Sequence, residues 1–428
     1  ARHAGDRTRT TQGTDMTKRL LPPAATVLLT TWLAAQSPLV NAVNACLDAT
    51  DDSGYERQRD ELLARSDATG DALLAAVTTR PEPLRGETTF VLPFADTPLT
   101  VAARAPTERA LDQLLPVLYA FNGTGDLLQG AEHQPVIVAS MSGYMADQFS
   151  DLERAAHLKT LNAIAWRTGG DPNALWWTGF SWGGHACWDD AMHRPGWARG
   201  FVGRGGGPRR TSFRLLPNLV GTEMLSVCGT KEDQELQWNL REVKRTHQTL
   251  GLRFTAWEAA DQGHVQPLAG ERDAGISLFA TPCSDARPQQ FQLLADGPNV
   301  EHPLFLVVAV DERAVVVPDQ VPVSASLSPD EQRRATVRAM LKQVVSVRWQ
   351  ITSKGAVKTI TLQAKGVRRG RLALRAPWFV VGEQVRVLVG GKELFAGKVT
   401  VEPRTLLDEA RRTGDRLRPA LRVIEIVF

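Results

Sequence analysis

Short apolar runs alternate with amphipathic segments between residues 86 and 285, and this alternation predicts the fold of that region. Thr89–Pro93 and Leu99–Ala102 predict two paired strands, and the uninterrupted apolar run Leu114–Phe121 is typical of a strand covered on both faces. Further strands are predicted at residues 135–140, near 175, and at 200–202, 224–228 and 252–257, with helices at 152–166, 186–192 and 235–249. The sequence therefore predicts an α/β fold, a parallel sheet with helices on both faces and functional groups at the carboxyl ends of its strands.

The chain changes character on either side of this region. Residues 46–85 are charged and alanine-rich, with leucines at helical spacing, and predict a helical lead-in. After residue 285 a stretch rich in Pro, Asp and Val is interrupted by Ser328-Pro329-Asp330-Glu331, a capping box that predicts a helix. From residue 345 apolar and polar residues alternate, which predicts a smaller β-rich domain with a helix at 406–411 and a last strand at 421–428. We divide the chain into residues 1–45, 46–85, 86–285, 286–344 and 345–428.

The first segment is predicted to be an upstream extension followed by a signal peptide. Lys18 and Arg19 follow Met16, and the apolar segment Leu20–Ala35 is shorter than the roughly 20 residues of a membrane span. We interpret Met16 as the start and expect cleavage after Ala35 or Ala45. The mature chain is then exported, periplasmic or extracellular, without a stable membrane span. The alternative is that this segment forms an N-terminal helix of the folded protein.

Composition narrows the classes of function. The 428 residues carry a formal net charge of only +3, and no basic stripe with interleaved aromatic residues is present, so we expect no nucleic-acid partner. The 4 cysteines form no C-x-x-C pair and H-E-x-x-H is absent, so neither a metal site nor a cofactor is indicated. If all four cysteines were oxidised, three pairings would be possible, and the choice among them stays open. The oligomeric state stays open as well.

Gly179-Phe180-Ser181-Trp182-Gly183 is the most informative motif of the chain. An apolar run precedes the serine and a helix-compatible stretch follows it. A serine on such a tight strand-to-helix turn has its hydroxyl exposed and free to attack a substrate. The flanking glycines avoid clashes between strand and helix. Ser181 is therefore the candidate nucleophile.

A serine nucleophile needs a base and an acid that orients it. His264 lies in a loop just after the last predicted strand of the α/β region, and is the candidate base. The candidate acids follow the strand that ends at Cys228, which gives the chain order serine, acid, histidine expected for this fold. We favour Asp233 because a helix-forming run begins directly after it, and Glu232 is the alternative acid. His185, His193 and His247 are the alternative bases, for which local packing or capping is the competing interpretation.

Two backbone N–H groups are needed to stabilise an oxyanion. One is expected from Trp182, the residue after the nucleophile. The other is expected from the glycine-rich loop after the strand Leu114–Phe121, where Thr124 and Gly123 are the candidate donors. The ring of Trp182 is expected to reach the pocket, and Trp176 is expected to pack in the core.

The elbow from Gly179 to His185, with Trp188 and Arg194-Pro195 after it, resembles α/β-hydrolases of the poly-hydroxyalkanoate depolymerase, feruloyl esterase and predicted-peptidase group. The resemblance covers about residues 88–270. Asn122 stands where that group usually has the histidine of its oxyanion loop. Residues 387–399 resemble the β domain attached to some exported hydrolases of this kind. The resemblance implies ester or peptide hydrolysis without a metal.

Together these observations predict an exported serine hydrolase acting on a small-molecule or polymeric ester through an acyl-enzyme on Ser181. Two alternatives remain open at this stage. One is a serine peptidase of the prolyl-oligopeptidase type. The other is a non-catalytic binding protein on a hydrolase fold, with its β domain docking a polymer or a surface.

Overall fold

The computed structural model describes residues 37–95, 98–121, 136–142, 149–265, 289–315, 321–342 and 344–428. The predicted signal segment up to Ala35 lies outside these residues. The described chain begins with three helices, α1 (Pro38–Leu47), α2 (Asp52–Leu63) and α3 (Gly70–Thr78), each with a side-chain cap at its N-terminus. Because α1 spans residue 45, a cleavage after Ala45 would cut through a helix whose Val43 is fully buried.

An eight-stranded sheet follows. Its strands are β1 (Gly86–Leu92), β2 (Leu99–Ala105), β3 (Leu115–Phe121), β4 (Ile137–Ser142), β5 (Gly170–Phe180), β6 (Gly200–Arg204), β7 (Glu223–Gly229) and β8 (Arg253–Ala259). They lie in the order β1-β2-β4-β3-β5-β6-β7-β8. The strand β2 pairs antiparallel with β1 and β4, and every other pair is parallel.

Neighbouring residues of the central strands are buried on opposite faces of this sheet. Tyr119 and Trp177 pack in the main core, whereas Leu118 and Trp176 pack in a separate cluster. Because both faces are buried, successive residues of these strands are apolar, which explains the continuous apolar runs in the sequence. The predicted core position of Trp176 is confirmed, since the residue is 1% exposed.

Three helices connect the parallel strands, α4 (Asp151–Thr168), α5 (Trp182–His193) and α6 (Gln234–Leu250), and residues of each join the main core. Ser150 caps the start of α4, and Gly169 ends it in the left-handed conformation. A 3₁₀ segment at Arg210–Leu219, which the sequence pattern did not indicate, connects β6 to β7.

The remaining chain forms a β-rich domain with two sheets. The strands and α-helices of this part of the chain are β9 (Gln290–Ala295), β10 (Glu301–His302), β11 (Phe305–Val310), α7 (Pro329–Leu341), β12 (Val345–Lys354), β13 (Val357–Lys365), β14 (Val367–Arg375), β15 (Gln384–Val389), β16 (Lys392–Lys398), α8 (Pro403–Thr413) and β17 (Ala420–Val427). One sheet has the order β10-β11-β14-β17 and the other β16-β15-β13-β12-β9. The predicted capping box at the start of α7 is present.

The predicted division at residue 345 differs from the structure. Residues 286–344 were expected to be a linker with one helix, but they supply β9 to one sheet and β10 and β11 to the other. These strands are short, and their partners lie far along the chain, as in the pairing of Val345 with Ala295. A local pattern does not report such pairings.

The two ends of the described chain pack together and against the α/β region. Leu406 and Leu407 of α8 are fully buried among α1–α3. Asn162 of α4 donates a hydrogen bond to the carbonyl oxygen of Thr413 at 3.0 Å. The predicted large α/β sheet and the smaller C-terminal β-rich domain are both present.

Candidate active site

Ser181 lies on a strained turn between β5 and α5. Its φ of 54° and ψ of −117° are rare for a residue with a side chain, and such strain is concentrated at functional sites. Its N–H donates to the carbonyl oxygen of Arg204 at 2.8 Å, which ties the turn to the end of β6. A Cβ on Gly179 would lie 2.4 Å from the carbonyl carbon of Gly183, so strand and helix approach this closely only with glycine there.

The structure brings Ser181, His264 and Glu232 into one hydrogen-bonded row. The Ser181 hydroxyl donates to Nε2 of His264 at 2.8 Å, and Nδ1–H of His264 donates to Oε2 of Glu232 at 2.9 Å. The Glu232 side chain is 1% exposed and the His264 side chain 43% exposed. A buried carboxylate on one nitrogen fixes the tautomer that leaves the other nitrogen able to accept the serine proton.

Glu232 and His264 lie close together because the loops that follow β7 and β8 are joined by hydrogen bonds. The N–H of Thr230 donates to the carbonyl oxygen of Ala259 at 2.9 Å, and that of Lys231 to the carbonyl oxygen of Gln262 at 2.7 Å. The two loops are thus a short extension of the pairing of β7 with β8. These backbone hydrogen bonds hold the two loops close together, so the side chains of Glu232 and His264 start within reach of each other.

The expectation that Asp233 orients His264 is wrong for this structure. Oδ1 of Asp233 accepts the N–H of Leu236 at 2.8 Å, so Asp233 is the N-cap of α6. A side chain that caps a helix turns toward that helix, away from the neighbouring loop. Glu232 precedes the cap and has one more methylene group, with which it reaches the imidazole.

Phe180 and Gly205 lie against the His264 ring, and the sequence pattern singled out neither. The ring centroids of Phe180 and His264 are 4.8 Å apart, at an interplanar angle of 33°. Gly205 has φ +53°, and a Cβ there would lie 2.9 Å from Cε2 of Phe180 and 3.1 Å from Cε1 of His264. The run Gly205-Gly206-Gly207 after β6 was the available sequence signal for this close approach.

Of the expected oxyanion donors, the structure describes only Trp182. This residue opens α5, so its backbone N–H belongs to the first turn of the helix, which lacks intrahelical acceptors. Gly123 and Thr124 lie outside the described residues. Phe121, the last described residue before them, packs against the elbow, since a Cβ on Gly183 would lie 3.1 Å from Cβ of Phe121.

The alternative bases are engaged elsewhere. Nδ1–H of His185 donates to the carbonyl oxygen of Gly207 at 2.6 Å, and burial lowers the pKa of this histidine. Nδ1–H of His193 donates to the carbonyl oxygen of Asp189, and that of His247 to the carbonyl oxygen of Lys244. Of the described histidines, only His264 is hydrogen-bonded to the Ser181 hydroxyl.

Buried polar groups of α4 support the residues around the elbow, and these were also missed from the sequence. Nδ1–H of His157 donates to Oδ2 of Asp190 at 2.7 Å. The centroid of the His157 ring lies 4.4 Å from the ring centroid of Phe121 and 6.4 Å from that of Trp182. Glu153, 1% exposed, accepts the N–H of Phe149, and burial raises its pKa.

Within the described residues, no group of three or more His, Cys, Asp or Glu side chains is placed to hold a metal ion. None of the described helices is both long and apolar enough to cross a membrane. Cys46, Cys187 and Cys228 are buried free thiols, and Cys283 lies outside the described residues.

No family model matches this chain, and no curated protein matches it. Among solved structures, the chain is similar to a thermostable esterase at 13% identity, with 46% of this chain and 59% of that chain covered and a TM-score of 0.35. It is similar to a ferulic acid esterase at 13% identity, covering 45% and 95% of the two chains, with a TM-score of 0.37. It is also similar to dipeptidyl peptidase 4 of Porphyromonas gingivalis at 12% identity, covering 42% and 32%, with a TM-score of 0.36.

The strand order is the feature that assigns the fold. A mostly parallel sheet with β2 antiparallel has a serine after β5, a carboxylate after β7 and a histidine after β8. This is the arrangement of α/β-hydrolases. The chain therefore has an α/β-hydrolase fold.

Proposed function

We propose that this chain is a serine hydrolase that cleaves carboxylic esters through an acyl-enzyme on Ser181. The observation that supports the proposal is the row from Ser181 through His264 to Glu232, with contacts of 2.8 and 2.9 Å, built on a strained elbow. Nucleophile, base and orienting acid are thus within hydrogen-bonding reach without any rearrangement.

In the first half of the reaction, Oγ of Ser181 attacks the ester carbonyl carbon while its proton passes to Nε2 of His264. Glu232 stabilises the imidazolium that forms. The backbone N–H of Trp182 donates to the oxyanion, and the second donor is predicted at Thr124 or Gly123. The C–O bond then breaks, the alcohol leaves with the proton from Nε2, and the acyl group remains on Ser181.

In the second half, water attacks the acyl-enzyme, and His264 again takes a proton and returns it to Oγ of Ser181. The carboxylic acid is released and the serine is regenerated. The same residues serve both halves, so each should be needed for both acylation and deacylation.

We further propose that the protein is exported, on the predicted signal segment ahead of Ala35. Its substrate would then be an extracellular or periplasmic ester, small or polymeric. Expression of the full sequence in a secreting host, followed by N-terminal sequencing of the mature chain, tests this. A mature chain that begins after Ala35 supports export, and a cytoplasmic chain that retains residues 17–35 contradicts it.

Labelling by a fluorophosphonate probe, combined with an ester panel of varied acyl length and aromatic character, tests the enzymatic proposal. Wild type should be labelled and should turn over esters, and Ser181→Ala should do neither while keeping its circular dichroism spectrum. Turnover confined to a peptide panel would point to the peptidase alternative. A folded wild type that is not labelled would point to a binding protein.

A further inference from the structure

Three side chains form a row beside the elbow that the proposed chemistry does not use. The guanidinium carbon of Arg209 lies 4.7 Å from the ring centroid of Phe149, and that ring centroid lies 6.1 Å from the centroid of Trp182. Trp182 directly follows the proposed nucleophile in the chain. The row, which we call the Arg209 row, therefore leads from a cation to the residue next to Ser181.

The backbone of the segment after β6 independently places Arg209 near the site. Gly205 packs against His264, as described above, and the carbonyl oxygen of Gly207 accepts Nδ1–H of His185 at 2.6 Å. Arg209 follows two residues later. The segment thus passes along the first turn of α5, where the proposed reaction takes place.

The guanidinium of Arg209 is available to a ligand. The residue is exposed and forms no ion pair with a carboxylate in the part of the chain that the structure describes. Other arginines of the region are engaged, as with Arg154 to Asp189 at 2.6 Å and Arg194 to Glu301 at 3.4 Å. A guanidinium stacked on an aromatic face keeps its N–H edge free to bind a carboxylate with two parallel hydrogen bonds.

Phe149 is held in place at the cost of backbone strain. Its φ of 63° lies in the left-handed region, which bulky side chains rarely adopt. Its N–H donates to Oε2 of the buried Glu153 at 2.5 Å, which fixes this conformation. The backbone that carries the ring between Arg209 and Trp182 is therefore anchored to a buried acid.

We propose that the Arg209 row is a subsite for a carboxylate carried by the substrate, with Phe149 and Trp182 contacting the hydrocarbon between that carboxylate and the ester. The preferred substrates are then monoesters of dicarboxylic acids, or esters with an equivalent anionic group. This inference rests on the proposed esterase function, because the subsite would select negatively charged substrates for hydrolysis at Ser181.

Binding to the Ser181→Ala variant tests the subsite without turnover. Monomethyl adipate and methyl hexanoate have acyl chains of equal length and differ in the terminal carboxylate, and their affinities are compared by isothermal titration calorimetry. The anionic ester should bind about tenfold more tightly, and adding Arg209→Gln should remove that preference. Arg209→Lys should keep part of it. The control Arg241→Gln, an exposed arginine on α6, should leave the preference unchanged.

The preference should also fall in 0.5 M NaCl, because an exposed charge pair is screened by salt. Equal affinities of the two esters, undetectable binding of the anionic one, or a preference that survives Arg209→Gln would overturn the subsite. Fluorophosphonate labelling of the wild type reports on the proposed function separately. A labelled protein without charge preference contradicts only the subsite, and an unlabelled protein with the preference contradicts only the esterase assignment.

Discussion

Oε2 of Glu232 lies 2.9 Å from Nδ1 of His264, while the adjacent Asp233 caps the helix that follows. The two neighbouring acids thus make different contacts, and substitutions of each should have different effects on kcat and on stability. The side chain of Glu232 is buried against the imidazole, whereas the carboxylate of Asp233 satisfies a backbone N–H.

Glu232→Gln should lower kcat for ester hydrolysis by about 10²–10⁴-fold with little change in KM, because an amide no longer stabilises the imidazolium or fixes the tautomer. Asp233→Ala should retain kcat within a few-fold and cost about 1 kcal/mol of unfolding free energy through loss of the N-cap. Steady-state kinetics and urea unfolding of both variants check this pair. The reverse outcome, a large kcat loss confined to Asp233→Ala, would restore the acid favoured from the sequence.

Gly205→Ala should displace His264 and lower kcat by about 10–100-fold, since small misplacements of a catalytic group are costly. The added Cβ would lie 2.9 Å from Phe180 and 3.1 Å from His264. Adding Phe180→Leu, which shortens one of the two crowded side chains, should recover part of the lost kcat.

Gly251→Ala is the matched control. Gly251 also has a positive φ, of +68°, but no atom lies within 4 Å of its Cβ position. The Gly251→Ala variant should therefore be less stable because of backbone strain, but its kcat should be unchanged. Equal kcat losses in the two alanine variants would show that the contact with His264 does not matter.

The sequence predicted the α/β region well because its strands are buried on both faces and its helices carry local signals. The apolar run of β3 is an example. The elbow was equally visible, since Gly179 is required by its close approach to Gly183, four residues further along the chain. These features depend on the local sequence, which is what a pattern reports.

The carboxylate that contacts His264 was not the one favoured from the sequence, because one observation supports two interpretations. The helix that begins right after Asp233 was taken to favour that residue, yet an aspartate directly before a helix is also the preferred N-cap. Only the pairing between the loops after β7 and β8 shows which carboxylate reaches His264. Phe149 and Arg209 escaped notice for the same reason, since they meet across about 60 residues of chain.

The buried thiols should be unreactive in the folded protein. Burial raises the pKa of both Cys46 and Cys228 to about 11, and it raises that of Cys187 as well. At pH 8 only about one in a thousand of the Cys46 and Cys228 side chains is then in the reactive thiolate form. In a Cys283→Ser background, 5,5′-dithiobis(2-nitrobenzoate) should react with no thiol of the native chain and with three after unfolding in urea. Fast reaction under native conditions would contradict this burial.

Glu409 of α8 pairs with Arg375 of β14 at 2.9 Å in the interior, where Arg375 is 1% exposed. Burial opposes ionisation of Glu409, but Arg412, Arg375 and Arg371 outweigh it and lower its pKa to about 2. The stability that this carboxylate contributes is fully present above its unfolded pKa, near 4.5, and is lost as the pH falls toward 2.

Glu409→Gln should therefore destabilise the protein at pH 7, by about 3–5 kcal/mol, because it leaves the buried Arg375 without its counter-charge. The difference in unfolding free energy between wild type and variant should narrow as the pH is lowered from 4.5 to 2, because the Glu409 carboxylate of the wild type is then protonated and loses its charge. Urea unfolding at pH 7, 4 and 3 measures the gap. Glu425→Gln, which removes an exposed partner of Arg371, is the control and should cost about 1 kcal/mol or less at any of these pH values. A gap for Glu409→Gln that stays constant with pH would mean that the charge of Glu409 is not what holds α8 against the β domain.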